Sequence, residues 1–147
     1  MSVEPIVWIV AALEILAALG IAVYWITWFR QPHDEPWLPD GYVEHETPFV
    51  YADAILAAVL VTAAVLQVTA APPGEIEMLI PIGRGAGRPI GDSLGLVAAG
   101  MLAFLGVLDL AYFARTGLFK REHGGIVNGG VVIGVLLLAA ILLVRFV

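Results

Sequence analysis

Apolar residues fill four stretches of this chain, at residues 5–29, 49–71, 93–115 and 126–147, and polar residues gather between them. A helix needs roughly 20 residues to cross a hydrocarbon core, and each stretch is that long. Open strands are excluded in such a setting, because every backbone N–H and C=O must find its partner internally. The pattern therefore predicts an all-α, polytopic membrane protein. Its single domain, residues 1–147, is expected to be a four-transmembrane-helix antiparallel bundle with short connections.

Helix punctuation falls at the same boundaries. Pro5 and Pro48 suit a first helical position, Thr47 is placed to cap the second helix, and Asp92 or Ser93 the third. Pro72 and Pro73 forbid continuation of the second helix, and Gly124 and Gly125 separate the third from the fourth. Residues 1–4 contain Glu4 and neither Lys nor Arg, so the first stretch is expected to be a true span rather than a signal peptide. The two hairpins share neither motif nor loop length, so no internal repeat is expected.

Composition sharpens this reading. Apolar residues make up 61% and charged residues 14% of the 147 positions, too much apolar surface for so small a chain to bury in water. There is no cysteine, which excludes disulfides, thiolate metal sites and iron–sulfur clusters. A net charge of −6 with seven Lys and Arg lacks the basic footprint that nucleic acid requires.

With four spans, loops 30–48 and 116–125 share one face, and both termini share the other with loop 72–92. The first face carries Arg30, Arg115, Lys120 and Arg121; the second carries Arg84, Arg88 and Arg145. The excess of one cation places loops 30–48 and 116–125 in the cytoplasm of a multi-pass cell-membrane protein.

The candidate chemistry is acidic. Glu14, Asp53 and Asp109 lie inside spans, where a charge costs several kcal/mol and marks a functional candidate. Helical phase puts Glu14 on a face with Ala11, Ala18 and Ile21, Asp53 with Ala57, Ala64 and Gln67, and Asp109 with Gly106 and Tyr112. At 1.5 Å per residue, Asp53 lies roughly 6 Å and Asp109 roughly 9 Å inside the loop 30–48 face, with Glu14 roughly 22 Å deep. Tyr24, Trp25, Tyr51, Tyr112 and Asn128 share the shallower layer. The expected ligand- or proton-binding set is thus Glu14, Asp53, Asp109, Tyr112, Tyr24, Trp25 and Asn128, with no catalytic residue assigned.

Each has a plainer reading. Asp53 near a helix start answers the macrodipole, and Asn128 would cap a helix starting at Gly129. Tyr24, Trp25, Trp28, Trp37 and Tyr51 suit an interfacial aromatic belt. A protonated Glu14 bonded to Gln67 would be interhelical glue.

Loop 30–48 holds Asp34, Glu35, Asp40, Glu44 and Glu46 without Lys or Arg, and a turn is expected at Pro39-Asp40-Gly41. Such a negative mouth would concentrate cations. His33, His45 and His123 lie on this face, and with Glu44 and Glu46 they are the only candidate metal ligands. None has helical ligand spacing, so no cofactor is expected beyond a metal ion these residues could hold. Gly83 to Arg88 resembles a phosphate loop in glycine content alone, without the Lys-Ser/Thr that would follow. Gly130 and Gly134 form a G-x-x-x-G in an apolar helix, which predicts close packing on another helix of this chain, a second copy or a membrane-protein partner.

Two stretches, Thr47-Pro48-Phe49-Val50-Tyr51-Ala52-Asp53 and Gly106-Val107-Leu108-Asp109-Leu110-Ala111-Tyr112 with Gly117-Leu118-Phe119, resemble small four-span bacterial membrane proteins of unassigned function. The resemblance implies that Asp53, Asp109 and Tyr112 form a unit, and it implies no activity. Glu14 in a first span is similar to small multidrug-resistance transporters, but the long acidic loop, Asp53 and Asp109 depart from that pattern.

Three functions are compatible with these features. The first expectation is a pocket that binds a cation, a proton or a small amphipathic molecule, with transport as its use. The second is a non-catalytic accessory or assembly subunit. The third is a metal-assisted or isomerase-type intramembrane enzyme, and the balance of the sequence leans away from catalysis.

Overall fold

The computed structural model describes residues 4–36, 38–69, 89–121 and 125–147. Four long helices, α1 (Pro5–Trp28), α3 (Phe49–Thr69), α4 (Ile90–Thr116) and α5 (Gly125–Phe146), are joined by a five-residue helix, α2 (Tyr42–Glu46), in the first loop. No strand occurs among the described residues, and all four long helices are long and apolar enough to cross a membrane.

The helix ends follow local chemistry, with three departures from expectation. Pro5 opens α1 as its first residue. Helix α4 starts three residues before Ser93: its N-cap is Pro89, Asp92 sits in the first turn, and the Ser93 hydroxyl donates back to the Pro89 carbonyl at 3.2 Å. Thr47 closes α2 rather than capping α3 with its side chain, for its hydroxyl donates to the Val43 carbonyl. Helix α5 begins at Gly125, four residues before Gly129, so Asn128 is not its cap. The expected turn at Pro39-Asp40-Gly41 is present, with the Tyr42 N–H on the Pro39 carbonyl at 3.1 Å and Gly41 at φ 76°. Gly117, at φ 77°, ends α4 in the left-handed conformation that a residue with a Cβ rarely adopts.

Neighbouring helices run antiparallel, as paired contacts between them establish. Trp25 and Glu14 of α1 meet Asp53 and Gln67 of α3 in reverse order. Gly95 and Gly106 of α4 meet Phe146 and Leu136 of α5 in reverse order. The packing is serial, α1 on α3, α3 on α4 and α4 on α5. Between the start of α1 and the end of α5 lies an apolar cleft of about 510 Å³, lined by Ile6, Val10, Ala140, Ile141, Val144 and Arg145.

The core is built from Leu56 and Leu60 of α3, Ala98, Ala99 and Leu102 of α4, and Ala139 and Leu142 of α5. Small residues set the helix spacing. A Cβ on Gly95 would strike the Phe146 ring, and one on Gly106 would come within 2.8 Å of Leu136. Gly130 and Gly134 do not take part: both are exposed, and a Cβ on either would meet nothing within 4 Å. The G-x-x-x-G face therefore points away from this chain's other helices, because α5 turns its Val132, Ala139 and Leu142 stripe to α4 instead. Outward faces carry large apolar side chains such as Leu16, Val23, Tyr51, Phe104, Ile133 and Val144.

Candidate functional site

The candidate site forms where the loop ends of α1, α3 and α4 meet beneath α2. Trp25, 7% exposed, donates its indole N–H to Asp53 Oδ2 at 2.8 Å, fixing α1 to α3. One position earlier, the Tyr24 hydroxyl donates to Glu46 Oε2 at 3.3 Å and ties α1 to α2. Glu46 is buried although it belongs to the loop. His45 lies flat on Tyr112, with ring centroids 3.6 Å apart and planes 12° from parallel, so α2 also rests on α4. Helix α2 thus roofs the layer with two of its five side chains.

Three carboxylates under this roof lie near enough to act on one another electrostatically. Glu46 feels the charges of Asp109 and Asp53, and Asp109 feels that of Asp53. Among the described residues no cation acts on any of the three. Arg30, Arg115, Lys120 and Arg121 are exposed outside the layer. Asp53 and Glu46 each have a neutral donor, whereas Asp109 has no hydrogen-bond partner among the described residues. Neutral donors ease the loss of water around a carboxylate without cancelling its charge. The arrangement is an acceptor-rich, aromatic-walled layer suited to positive charge.

The structure thus brings together Asp53, Asp109, Tyr112, Tyr24 and Trp25. Glu46 joins them, and sequence reasoning placed it only among the metal candidates. Its signal was the seven-residue spacing to Asp53, which puts both on one face if helical phase carries through Thr47 and Pro48. Tyr51 is 73% exposed on an outward face, while Trp25 and Trp28 turn inward, so the expected aromatic belt divides between two roles. Trp37 lies outside the described residues.

Two expected members lie elsewhere. Asn128 donates to the Leu118 carbonyl at 2.8 Å and ties α5 to the turn after α4. Glu14 sits at the opposite end of the packed helices and has no exposed surface. Its Oε1 accepts from the Gln67 amide at 3.2 Å, the bond expected of interhelical glue, while Oε2 is buried without a partner among the described residues. Fourteen residues of α3 separate Asp53 from Gln67, roughly 21 Å of helix. Leu56, Leu60, Ala63 and Ala64 fill that interval from α3, and none is more than 2% exposed. Glu14 and the acid layer are separate sites.

The metal candidates do not converge. The His33 ring lies 4.2 Å from Trp28 and His45 is stacked on Tyr112. Among the described residues no three His, Asp or Glu side chains are placed to share a metal ion. His123, Arg84 and Arg88 lie outside the described residues. Above the layer, Asp34, Glu35, Asp40 and Glu44 border a shallow polar depression of about 340 Å³ in the first loop.

Compared with family models, curated proteins and solved structures, the chain gives no significant match in any of the three.

Proposed function

We propose that the chain is a multi-pass cell-membrane protein whose acid layer binds a cation. The observation that carries this reading is Asp109, a carboxylate that, among the described residues, has no hydrogen-bond partner and shares its layer with Asp53 and Glu46 with no cation acting on any of them. Membrane insertion is supported by the apolar side chains on the outward faces, which a water-soluble fold would have to cover. The occupant that fits is an organic, amphipathic cation rather than a compact metal ion. Aromatic rings of Tyr24, Trp25 and Tyr112 offer cation–π faces, and the carboxylates are too dispersed to coordinate one small ion. The acidic loop would raise the local concentration of such cations, and transport is the use we assign to the site. Loops 30–48 and 116–125 are assigned to the cytoplasmic side by their slight excess of basic residues.

Titration of the purified protein with tetraphenylphosphonium, followed by quenching of tryptophan fluorescence, tests this assignment. Saturable binding is expected. Asp109→Asn and Asp53→Asn should each weaken it about tenfold, which is ~1.4 kcal/mol. Unsaturable partitioning that both variants share would refute a specific site.

A second reading, an accessory subunit of a membrane assembly, draws on Gly130 and Gly134. Their outward face on α5 would let the backbone of a second copy or a partner helix approach closely.

A further inference from the structure

Glu14 has no place in the acid layer, and its surroundings are unusual for a carboxyl group. It has no exposed surface. From α3 it meets the neutral Gln67 amide, which donates to Oε1 at 3.2 Å and stands 3.5 Å from the Gly91 carbonyl of α4. From α4 the charge that reaches it is that of Asp92, which is of the same sign. Among the described residues no cation acts on it, and Oε2 is buried without a partner. An ionised group here would hold a full charge with one neutral donor and a like charge beside it, far less favourable than in water. A neutral carboxylic acid keeps the Gln67 bond and carries no charge to be solvated.

We propose that Glu14 is an occluded proton-binding site, with the proton on Oε2, distinct from the Glu46–Asp53–Asp109 layer. Proton exchange takes place toward the near helix ends. Gln67 is two residues from the last residue of α3, and Gly91 is the second residue of α4. In the other direction Leu56, Leu60 and Leu102 seal the route. When the α1–α3–α4 junction opens, the Oε2–H bond breaks, the proton passes to water beside Asp92, and the electron pair stays on the carboxylate. Closure requires the reverse transfer, because the described residues packed around the site supply no counter-charge. The proposal does not depend on cation binding in the acid layer. Were both sites active, the chain would hold a proton at one end and a cation at the other.

The test is carboxyl carbon-13 NMR of the full chain in lipid nanodiscs, labelled at glutamate side chains, with no cation ligand added. Loss of one signal in Glu14→Gln assigns Glu14. Gln67→Leu supplies a second assignment by shifting that signal, so the test survives if Glu14→Gln fails to fold. At neutral pH the Glu14 signal should stand at the carboxylic-acid position. In Gln67→Leu it should remain an acid signal. A carboxylate signal for Glu14 at neutral pH in the wild-type protein would overturn the proposal whatever the acid layer binds.

Discussion

The indole N–H of Trp25 and the hydroxyl of Tyr24 make similar-looking bonds to carboxylates, yet burial sets them apart. Trp25 is 7% exposed and Tyr24 is 41% exposed. Removing the buried indole donor costs Asp53 a bond that water replaces less readily, about 1–3 kcal/mol. At Tyr24 solvent can replace the lost bond, and the net value of such a bond is about 0.5–1.5 kcal/mol. Trp25→Phe is therefore expected to destabilise the protein more than Tyr24→Phe in denaturation experiments in detergent. Equal losses, or the reverse order, would mean that the Trp25–Asp53 bond does not hold α1 to α3.

Glycine acts differently on the two long helices that carry most of it. On α4, Gly95 and Gly106 are the positions at which α5 comes closest, and each is occupied by the partner's side chain where a Cβ would stand. Overpacking of this kind costs about 1–3 kcal/mol. Gly106→Leu should lower thermal stability accordingly. On α5, a Cβ at Gly130 or Gly134 would meet nothing within 4 Å among the described residues. Gly130→Leu should leave the stability of the single chain unchanged or slightly raised, since glycine is the poorer helix former by about 1 kcal/mol. Any self-association in detergent should fall in the same variant. A Gly130→Leu chain that unfolds more easily would contradict the outward placement of this face.

Taken whole, the molecule is a series of antiparallel contacts rather than a ring of equal seams. One end, with the acid layer beneath α2, is tied by Trp25, Tyr24 and the His45–Tyr112 stack, and the other by Glu14 and Gln67. The apolar cleft between α1 and α5 opens at that second end. Topology is testable directly because the chain has no cysteine. Single cysteines at Asp40 and Lys120 should react from the same side of the membrane, and one at Val147 from the opposite side. With the proposed orientation, a membrane-impermeant maleimide should label intact cells at Val147 only. Asp40 and Lys120 on different sides would exclude four crossings, and both labelled from outside would reverse the orientation.

How much of this was legible in the chain depends on whether the cause was local. The four long helices follow from apolar length, and their ends from Pro5, Gly117 and their neighbours, because helical hydrogen bonds close within a few residues. The inward phase of Asp53 and Asp109 was readable for the same reason. Helix α2 was not, since its five residues, Tyr42–Glu46, sit between Pro39 and Pro48 in a stretch that read as an acidic loop. Its Glu46 and His45 acquire a role only against Tyr24 and Tyr112, which lie far off in sequence. Nor could α5 alone reveal which of its faces meets α4: Gly130 and Gly134 fit close packing as well as Val132 and Ala139 do. Local hydrogen bonding and hydrophobic length, both properties of one segment, were settled by the sequence by itself. Which faces touch, whether Asn128 meets the Leu118 carbonyl or the acid layer, and that Glu14 is sealed from Asp109 were decided only by tertiary packing, where shape and close contact between distant segments select one arrangement among several that each helix would accept.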